Sequence, residues 1–199
     1  MRLIVAITGG SGVIYGIKML EILRSLEVEA HLVISKWGER NIKIETNKTV
    51  EYVKSLATKC YDNDNMAAAI SSGSFKMDGM AIVPCSMKTL SSIANGYEDS
   101  LISRSAGVCI KESRRLVIVP RETPLSKIHL GNMIKLVETG VVILPATPGF
   151  YHKPKSIDEL IVHIVGKVLD QFGIRHNIFR RWGGGANNTS DYLRDSDEI

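Results

Sequence analysis

A short apolar run, LVIV at positions 116–119, carries charged residues on both sides. Lys111 precedes it, and Arg121 and Glu122 follow it. A buried strand rises ~3.3 Å per residue, so the cations at its two ends lie about 20 Å apart. A guanidinium that is even half-buried needs a partner, which an anionic ligand would supply at Arg121. Lys111 has two open interpretations: a cation at a helix C-terminus, or a residue that serves the site of a neighbouring subunit.

A glycine-rich segment, TGGSG at positions 8–12, follows the first apolar run and precedes a helical pattern. Glycines at this point let backbone N–H groups approach a ligand, and a helix N-terminus attracts anions. Tyr15 stands where the third glycine of G-x-G-x-x-G would be, which disfavours a dinucleotide and leaves a mononucleotide open. A tight turn without a ligand is the alternative.

Hydroxyl side chains follow two further predicted strands. Ser35 ends the second strand, and Ser86 and Thr89 follow the third. They are candidates for helix N-caps or for ligand donors. Doubly wound sheets bind ligands outside the carboxyl ends of their strands, so we expect these hydroxyls to share one crevice. Tyr151 lies in a loop at 145–154 that three prolines stiffen, and simple packing is its alternative role.

Five short runs rich in Val and Ile predict strands buried on both faces: RLIVAIT, EAHLVI, MAIVPC, RLVIVP and GVVILP. Helical patterns lie between them, and the last begins at Ser156 as N-cap, has Glu159 at the capping-box position and stops at Gly173. The alternation predicts an α/β fold, a parallel sheet with helices on both faces. We expect one domain over residues 1–182 and a polar tail over 183–199, either loose or reaching over a neighbouring subunit.

Composition narrows the function class. The 199 residues include 25 basic and 21 acidic side chains, and a net charge of +4 without a basic stripe argues against nucleic-acid binding. The sequence has three widely spaced cysteines, no C-x-x-C pair and no histidine motif, so we expect no metal site. The first apolar run is too short for a secretion signal, and no run is long enough to span a membrane. The expected location is the cytoplasm.

Ordered blocks extend from Arg2 to about Trp182: TGGSGVIYG, LVISK, IET, SSGSF, PCSMKTLSSIANGY, KESRRLVIVPRETPLSKIHLGNM, ILPATPGFYHKP and RRW. Together they resemble the UbiX-type flavin prenyltransferases, including the subgroup associated with hydroxyarylic-acid and phenolic-acid decarboxylases. The resemblance implies a Rossmann-like or flavodoxin-like doubly wound subunit that binds FMN. It also implies transfer of a dimethylallyl group from dimethylallyl monophosphate to N5 and C6 of reduced FMN. The prenylated FMN would pass to a UbiD-type decarboxylase, and the subunits would form a homododecamer with active sites between them.

The resemblance further implies roles for single residues. Those expected to contact FMN are Gly9, Gly10, Ser11, Ser35, Ser86, Met87, Lys88, Thr89 and Arg121. Those expected to hold the prenyl phosphate or to line its site are Lys111, Arg121, Tyr151, Lys167, Arg104 and Trp182. Those expected to act in catalysis are Glu45 and Glu122, which transfer protons, together with Ser11 and Lys111.

Two positions depart from some relatives. Lys167 replaces an arginine, which keeps the charge but loses a bidentate grip on phosphate. Asn65 replaces a tryptophan, which removes an aromatic wall beside the prenyl group. The segment DNDN at 62–65 is not the aspartate-rich motif that holds Mg²⁺ for a diphosphate, whereas a monophosphate held by Lys, Arg and Tyr needs no metal.

Two other functions stay open. A flavin-dependent cysteine decarboxylase would carry a PASANT-type motif and a histidine near the first helix, but the matching segments read PCSMKT and GVIYG. A non-catalytic FMN-binding accessory subunit of a decarboxylase would not need a second phosphate site. The retained acidic and cationic residues therefore favour the prenyltransferase.

Overall fold

The computed structural model describes residues 1–182, which build one six-stranded sheet. Its strands are β1 (Arg2–Ile7), β2 (Glu29–Ile34), β3 (Lys59–Asp62), β4 (Gly79–Cys85), β5 (Arg115–Pro120) and β6 (Val142–Ile143). All neighbours pair in parallel in the order β3-β2-β1-β4-β5-β6. This is the doubly wound Rossmann order, so the predicted fold class is confirmed. The tail predicted over 183–199 lies outside the described residues.

Seven α-helices of the described chain cover the sheet. They are α1 (Val13–Ser25), α2 (Lys36–Glu45), α3 (Val50–Ser55), α4 (Met87–Ala94), α5 (Leu101–Lys111), α6 (Lys127–Glu138) and α7 (Ile157–Gln171). One apolar core lies between the sheet and α1, α2, α3 and α7. A second core lies between the sheet and α4, α5 and α6. The subunit therefore has three layers, helix on sheet on helix.

The strand predictions fail at the two edges of the sheet. The edge strand β3 was missed because its sequence, KCYD, has no apolar run and three of its four residues are exposed. The run GVVILP forms only the two-residue β6. Two further bonds continue the pairing beyond β6, from the Leu144 N–H to the Ile118 carbonyl at 2.8 Å and from the Ala146 N–H to the Pro120 carbonyl at 3.3 Å. Pro145, which lies between them, has no N–H to donate.

Helix α7 begins at the predicted cap but without the predicted capping box. The Ser156 hydroxyl accepts from the Glu159 N–H at 3.2 Å. The Glu159 carboxylate accepts from the Lys155 N–H at 3.0 Å, one residue before the cap. Gly173 has φ of +67° just after the helix, a left-handed conformation that glycine adopts without strain.

Close packing of α1 on the sheet depends on Gly16. A Cβ at this position would overlap the Val83 carbonyl oxygen of β4, so no larger residue fits without a shift of the helix. In dinucleotide-binding loops the third glycine has this packing role. Here Gly16 performs it, one residue later than the position that Tyr15 occupies.

Within residues 1–182, no helix combines the length and apolarity needed to cross a bilayer. The same residues contain no group of three or more His, Cys, Asp or Glu side chains placed to hold a metal ion. The three cysteines are free thiols, with Cys60 exposed and Cys85 and Cys109 buried. Burial raises the pKa of both buried thiols, to about 12 for Cys109, so these thiols stay protonated and inert near neutral pH.

Candidate active site

Three helix N-termini meet around the carboxyl end of β1. This strand lies at the centre of the sheet, where the strand order reverses, between β2 and β4. The Ser35 N–H donates to the Ile7 carbonyl at 3.0 Å, and the Ser86 N–H donates to the Thr8 hydroxyl at 2.8 Å. The starts of α2 and α4 are thereby held beside the start of α1. Their partial positive charges suit this crevice to an anion.

Thr8 fixes the two central strand ends against each other. Its side chain is buried, and its hydroxyl donates to the Pro84 carbonyl at 2.9 Å while it accepts from Ser86. Its own N–H donates to the same Pro84 oxygen at 3.2 Å. Thr8 was predicted to lie in the glycine loop, but this role was not predicted. The one sequence signal for the role is a small hydroxyl residue at the end of a buried strand.

Of the three hydroxyls predicted as caps or ligand donors, those of Ser35 and Ser86 are caps in this structure, whereas Thr89 lies in the first turn of α4. The Ser35 hydroxyl accepts from the Gly38 N–H at 3.1 Å, and the Ser86 hydroxyl accepts from the Thr89 N–H at 3.3 Å. The hydroxyls of Ser86 and Thr89 lie 3.1 Å apart. A capping hydroxyl uses one lone pair and keeps its O–H as a donor. A hydroxyl can therefore cap a helix and donate a hydrogen bond to a ligand at the same time.

Glu45 comes from the end of α2 and reaches the glycine loop. Its Oε2 accepts from the N–H groups of Gly12 and Val13 at 2.8 and 3.2 Å. Gly12 has φ of +96°, so the turn needs a residue that tolerates the left-handed region. A carboxylate therefore sits at the N-terminus of α1, next to Ser11. The sequence alone predicts no contact between these segments.

Asn41 supports the same loop from one turn earlier in α2. Its amide nitrogen donates to the carbonyls of Gly9 and Gly10 at 3.0 and 3.4 Å. These bonds turn the Gly9 and Gly10 carbonyls toward α2. Asn41 was not predicted from the sequence, since a polar residue within a helix carries no sign of a loop packed against it.

The first turn of α4 contributes to the crevice mainly through its backbone. The Lys88 ammonium lies 3.3 Å from the Asp99 carboxylate, so its side chain already has a partner. The Met87 side chain is partly buried and packs against the second core. Met87 and Lys88 were both expected to contact FMN, and their N–H groups in the first helical turn are the atoms best suited to do so.

Arg121 and Glu122 follow β5 beside this crevice. The Arg121 N–H donates to the Cys85 carbonyl at 3.4 Å, which places the residue next to the start of α4. Both side chains are exposed in the single chain, so the expectation of a half-buried guanidinium is wrong. The loop that carries Tyr151 starts close to Arg121, because the Ala146 N–H donates at 3.3 Å to the carbonyl of Pro120, the residue before Arg121.

Lys111 and Arg104 lie elsewhere, in a surface groove of about 460 Å³ with the loop 71–74. Lys111 ends α5, and its Nζ lies 2.5 Å from the Glu112 carboxylate. The Arg104 guanidinium donates to Glu98 at 2.6 Å and to the Ser71 carbonyl at 3.0 Å. The length of β5 separates this groove from Arg121, so one subunit does not bring Lys111 and Arg121 together.

A third group lies on the loop and helix that follow β6. The Tyr151 side chain is 80% exposed, and its ring centroid lies 5.4 Å from that of Trp182. Lys167 projects from α7 with its Nζ 3.6 Å from Asp170. Asp170 is also held by Arg181 at 2.7 Å, which lowers the pKa of the Asp170 carboxyl. The ammonium of Lys167 therefore shares its acidic partner and stays half-exposed.

Comparison with known proteins gives close matches over most of the chain. A family model described as Flavoprotein matches residues 1–169. The mitochondrial flavin prenyltransferase PAD1 of Saccharomyces cerevisiae is 52% identical over 183 residues, which are 92% of this chain and 76% of the yeast protein.

Two solved structures of similar sequence match the fold over most of the chain. The crystal structure of AnUbiX (PadA1) in complex with FMN and dimethylallyl pyrophosphate has a TM-score of 0.92 at 52% identity, covering 93% of this chain and 98% of that one. The dodecameric FMN-dependent UbiX-like decarboxylase from Escherichia coli O157:H7 has a TM-score of 0.91 at 49% identity, covering 92% and 100%.

Flavin-dependent cysteine decarboxylases are more distant. The peptidyl-cysteine decarboxylase EpiD has a TM-score of 0.63 at 18% identity, covering 87% of this chain and 98% of its own, which shows a shared fold alone. Relatives that are about half identical, in contrast, span more than nine-tenths of this chain. The chain therefore belongs to the UbiX-like flavin prenyltransferases of the flavoprotein family.

Proposed function

We propose that this protein transfers a dimethylallyl group from dimethylallyl monophosphate to N5 and C6 of reduced FMN. One observation carries the proposal. The crevice at β1 offers helix N-termini and hydroxyls for one phosphate, and four exposed groups elsewhere suit a second. Those four groups are Lys111, Arg121, Tyr151 and Lys167. A protein that only stores FMN has no use for the second set.

The residues at the crevice fit FMN. Gly9 and Gly10 have no side chains to block a flat ring, and the hydroxyls of Ser35, Ser86 and Thr89 can donate to a phosphate at the starts of α2 and α4. The solved AnUbiX complex with FMN supports this assignment. Reduced FMN, when bound, supplies the two nucleophilic positions that accept the prenyl group.

The second phosphate is proposed to bind between subunits. Lys111 and Arg104 form one group, Arg121 and Glu122 a second, and Tyr151, Lys167 and Trp182 a third. The length of β5 separates the first group from the second within a single subunit. Assembly of several subunits would let each site draw on all three groups. The dodecameric Escherichia coli relative supports a homododecamer.

The exposed apolar surface of helix α6 supports the proposed assembly. Its outer face and the residue before its cap expose Leu125, Ile128, Leu130, Ile134 and Val137, with Ile128 at 74% and Ile134 at 59%. Monomeric proteins seldom leave so many neighbouring apolar side chains in water. A second copy of the chain is the partner that a homo-oligomer places there.

The proposed chemistry breaks the allylic C–O bond while cations hold the leaving phosphate. Lysine, arginine and tyrosine donors to phosphate are charge-assisted, and each such bond contributes about 1.5–3 kcal/mol net. Three or four donors therefore supply a substantial part of the reduction in barrier. Lys167 binds as a point charge without the fork of an arginine. Glu45 and Glu122 are proposed to transfer the protons.

The monophosphate is the proposed donor because a monophosphate held by Lys, Arg and Tyr needs no metal, and DNDN at 62–65 is not the aspartate-rich motif of diphosphate-using prenyltransferases. The AnUbiX complex contains the pyrophosphate, so both donors need testing. The product is proposed to pass to a UbiD-type decarboxylase. An accessory FMN subunit is the alternative, and it predicts stable association with a decarboxylase without any prenylated product.

An anaerobic product assay tests the proposal. Purified protein is incubated with FMN, dithionite and either donor, and the flavin is analysed by mass spectrometry. We expect a flavin heavier by one C5 unit with the monophosphate. When an apo UbiD-type decarboxylase is then added, the prenylated flavin should restore the activity of that decarboxylase. Unaltered FMN with both donors would refute the prenyltransferase, and prenylated flavin that activates no decarboxylase would refute the recipient.

A further inference from the structure

The loop that carries Tyr151 is attached to α7 by a histidine outside the groups described so far. The Gly149 N–H donates to Nδ1 of His163 at 3.4 Å. Gly149 lies between two rings: a Cβ at Gly149 would be 3.4 Å from Cδ2 of Tyr151 and 3.6 Å from Cε1 of His163. The positions of the Tyr151 and His163 rings are thereby coupled through Gly149.

His163 also lies close to Lys167. The two residues are four positions apart in α7, so their side chains project from neighbouring turns on one face. The ammonium acts electrostatically on the imidazole. His163 thus connects the two residues that we assign to the prenyl phosphate, Tyr151 through the loop and Lys167 through the helix.

The surroundings of His163 keep its ring in place and neutral. Its ring centroid lies 5.5 Å from that of His152 in the same loop and 5.1 Å from that of Phe179, edge to face. Burial lowers the pKa of His163 below its usual value, and the charges of His152 and Lys167 lower it further. Neutral imidazole can accept at Nδ1 when Nε2 carries the proton.

Charged groups on the other packed elements have partners of their own. Lys18 of α1 pairs with Asp158 at 2.8 Å, more than one helical turn before His163. His176, from the segment after α7, packs at a tilt against the Phe179 ring and donates from Nε2 to the Gly166 carbonyl at 3.0 Å. The titratable groups that act on His163 are therefore His152 and Lys167.

We propose that His163 is a positioning residue, which holds the Gly149 backbone through Nδ1 and so sets Tyr151 beside Lys167 to grip the phosphate of the prenyl donor. The inference rests on the proposed function, because it takes Tyr151 and Lys167 as phosphate ligands. It adds a residue that contacts neither flavin nor prenyl phosphate and acts on donor binding alone.

Two variants separate this role from general packing. His163→Phe keeps an aromatic ring against Phe179 but removes the acceptor, whereas His163→Asn places an oxygen near the position of Nδ1. With reduced FMN saturating and dimethylallyl monophosphate varied, we expect His163→Phe to raise KM for the donor roughly fivefold, the factor for one hydrogen bond. Its kcat and its affinity for FMN should stay within about twofold of the unmodified protein. His163→Asn should restore most of the KM.

Hydrogen exchange gives a readout that needs no turnover. We expect the amide of Gly149 to exchange faster in His163→Phe than in the unmodified protein, with His163→Asn in between. An unchanged donor KM in His163→Phe would overturn the inference. So would equal impairment of both variants, or a joint fall in kcat and FMN affinity. If the unmodified protein makes no prenylated flavin, the proposed function fails instead, and exchange at Gly149 still decides whether His163 anchors the loop.

Discussion

Glu45 has an observed structural contact and a proposed proton-transfer role, and its geometry makes the two compatible. Its Oε2 accepts from two N–H groups at the start of α1, so the carboxylate stabilises the glycine loop that is proposed to face the flavin. Its other oxygen has lone pairs to spare for a proton. Because the loop bonds involve one oxygen alone, the structural and the catalytic contributions of Glu45 can be separated by a single change.

The first prediction is that Glu45→Gln leaves the fold and FMN binding intact but lowers turnover about 10²–10⁴-fold, the usual range for a lost acid–base group. The glutamine oxygen still accepts from Gly12 and Val13, but it cannot take up a proton. FMN titration, thermal unfolding and the anaerobic assay measure the three properties. Glu51→Gln, an exposed carboxylate in the first turn of α3, is the control and should change none of them. Unchanged turnover in Glu45→Gln would remove Glu45 from catalysis.

The second prediction concerns pH and His163. Its pKa in the folded chain lies below 6.5, so as the pH falls below 6.5 and through this lowered pKa, the ring gains a proton and loses its acceptor at Nδ1. The donor KM of the unmodified protein should therefore rise on acidification. The phosphate ester titrates in the same range. His163→Asn shares that effect but lacks the imidazole, so the ratio of the two KM values isolates the histidine, and a ratio independent of pH would contradict the prediction.

Residues that follow strands could be predicted from the sequence, whereas residues that act across the fold could not. Ser35 and Ser86 stand at strand ends, where the topology of a parallel sheet predicts a ligand. Asn41 and His163 act through loops that are close only after folding, and the sequence has no periodic signal for such contacts. The burial of Arg121 in the single chain was predicted wrongly because burial depends on the elements packed around a residue, which its own segment does not reveal.

At the scale of the elements, the site depends on three helices starting at nearly one point. The strand order that reverses at β1 makes this possible, and the buried Thr8 hydroxyl holds β1 against β4 at that point. The central strands β2 and β5 were predicted with their observed bounds because they are apolar and buried on both faces. The bounds of the edge strands β3 and β6 were not predicted, because these strands depend on pairing with one neighbour more than on an apolar pattern.

The third prediction is that Thr8→Val loosens this junction. The valine fills the same space but leaves the Ser86 N–H without its acceptor inside the protein, which costs about 1–3 kcal/mol of unfolding free energy. FMN affinity should fall together with stability, because the start of α4 is no longer fixed. Urea unfolding and FMN titration measure both. Thr8→Ser retains the hydroxyl as a control, and a Thr8→Val protein that binds FMN normally would contradict the role given to Thr8.

At the scale of the whole molecule, the groove of Lys111 and Arg104 lies at the amino end of β5, and the crevice lies at its carboxyl end. We interpret the two as parts of different active sites. Lys111 is too far from Arg121 to share one phosphate with it inside a subunit. The exposed apolar face of α6 is the surface proposed for assembly. The strand length alone left a neighbouring subunit as one of two interpretations of Lys111. Nothing in the sequence of a single chain predicts which residues of two copies meet, so the choice between them came from the family resemblance.

The fourth prediction is that the double substitution Ile128→Glu and Ile134→Glu breaks the assembly. Two buried carboxylates at a subunit contact would lack partners. We expect a smaller species by light scattering, a loss of prenyl transfer, and FMN affinity reduced far less than activity. Lys135→Glu, on the same helix but at an exposed polar position, is the control. An unchanged mass would exclude α6 from the interface.

The central claim is that one active site takes Lys111 and Arg121 from different subunits, and complementation tests it most directly. Lys111→Ala and Arg121→Ala should each be inactive alone. Co-expressed in equal amounts and randomly assembled, they should place both cations in about one quarter of the sites and recover about that share of the prenyl transfer. If each site lay within one subunit, every chain would carry one defect, and the mixed oligomer would stay as inactive as either variant.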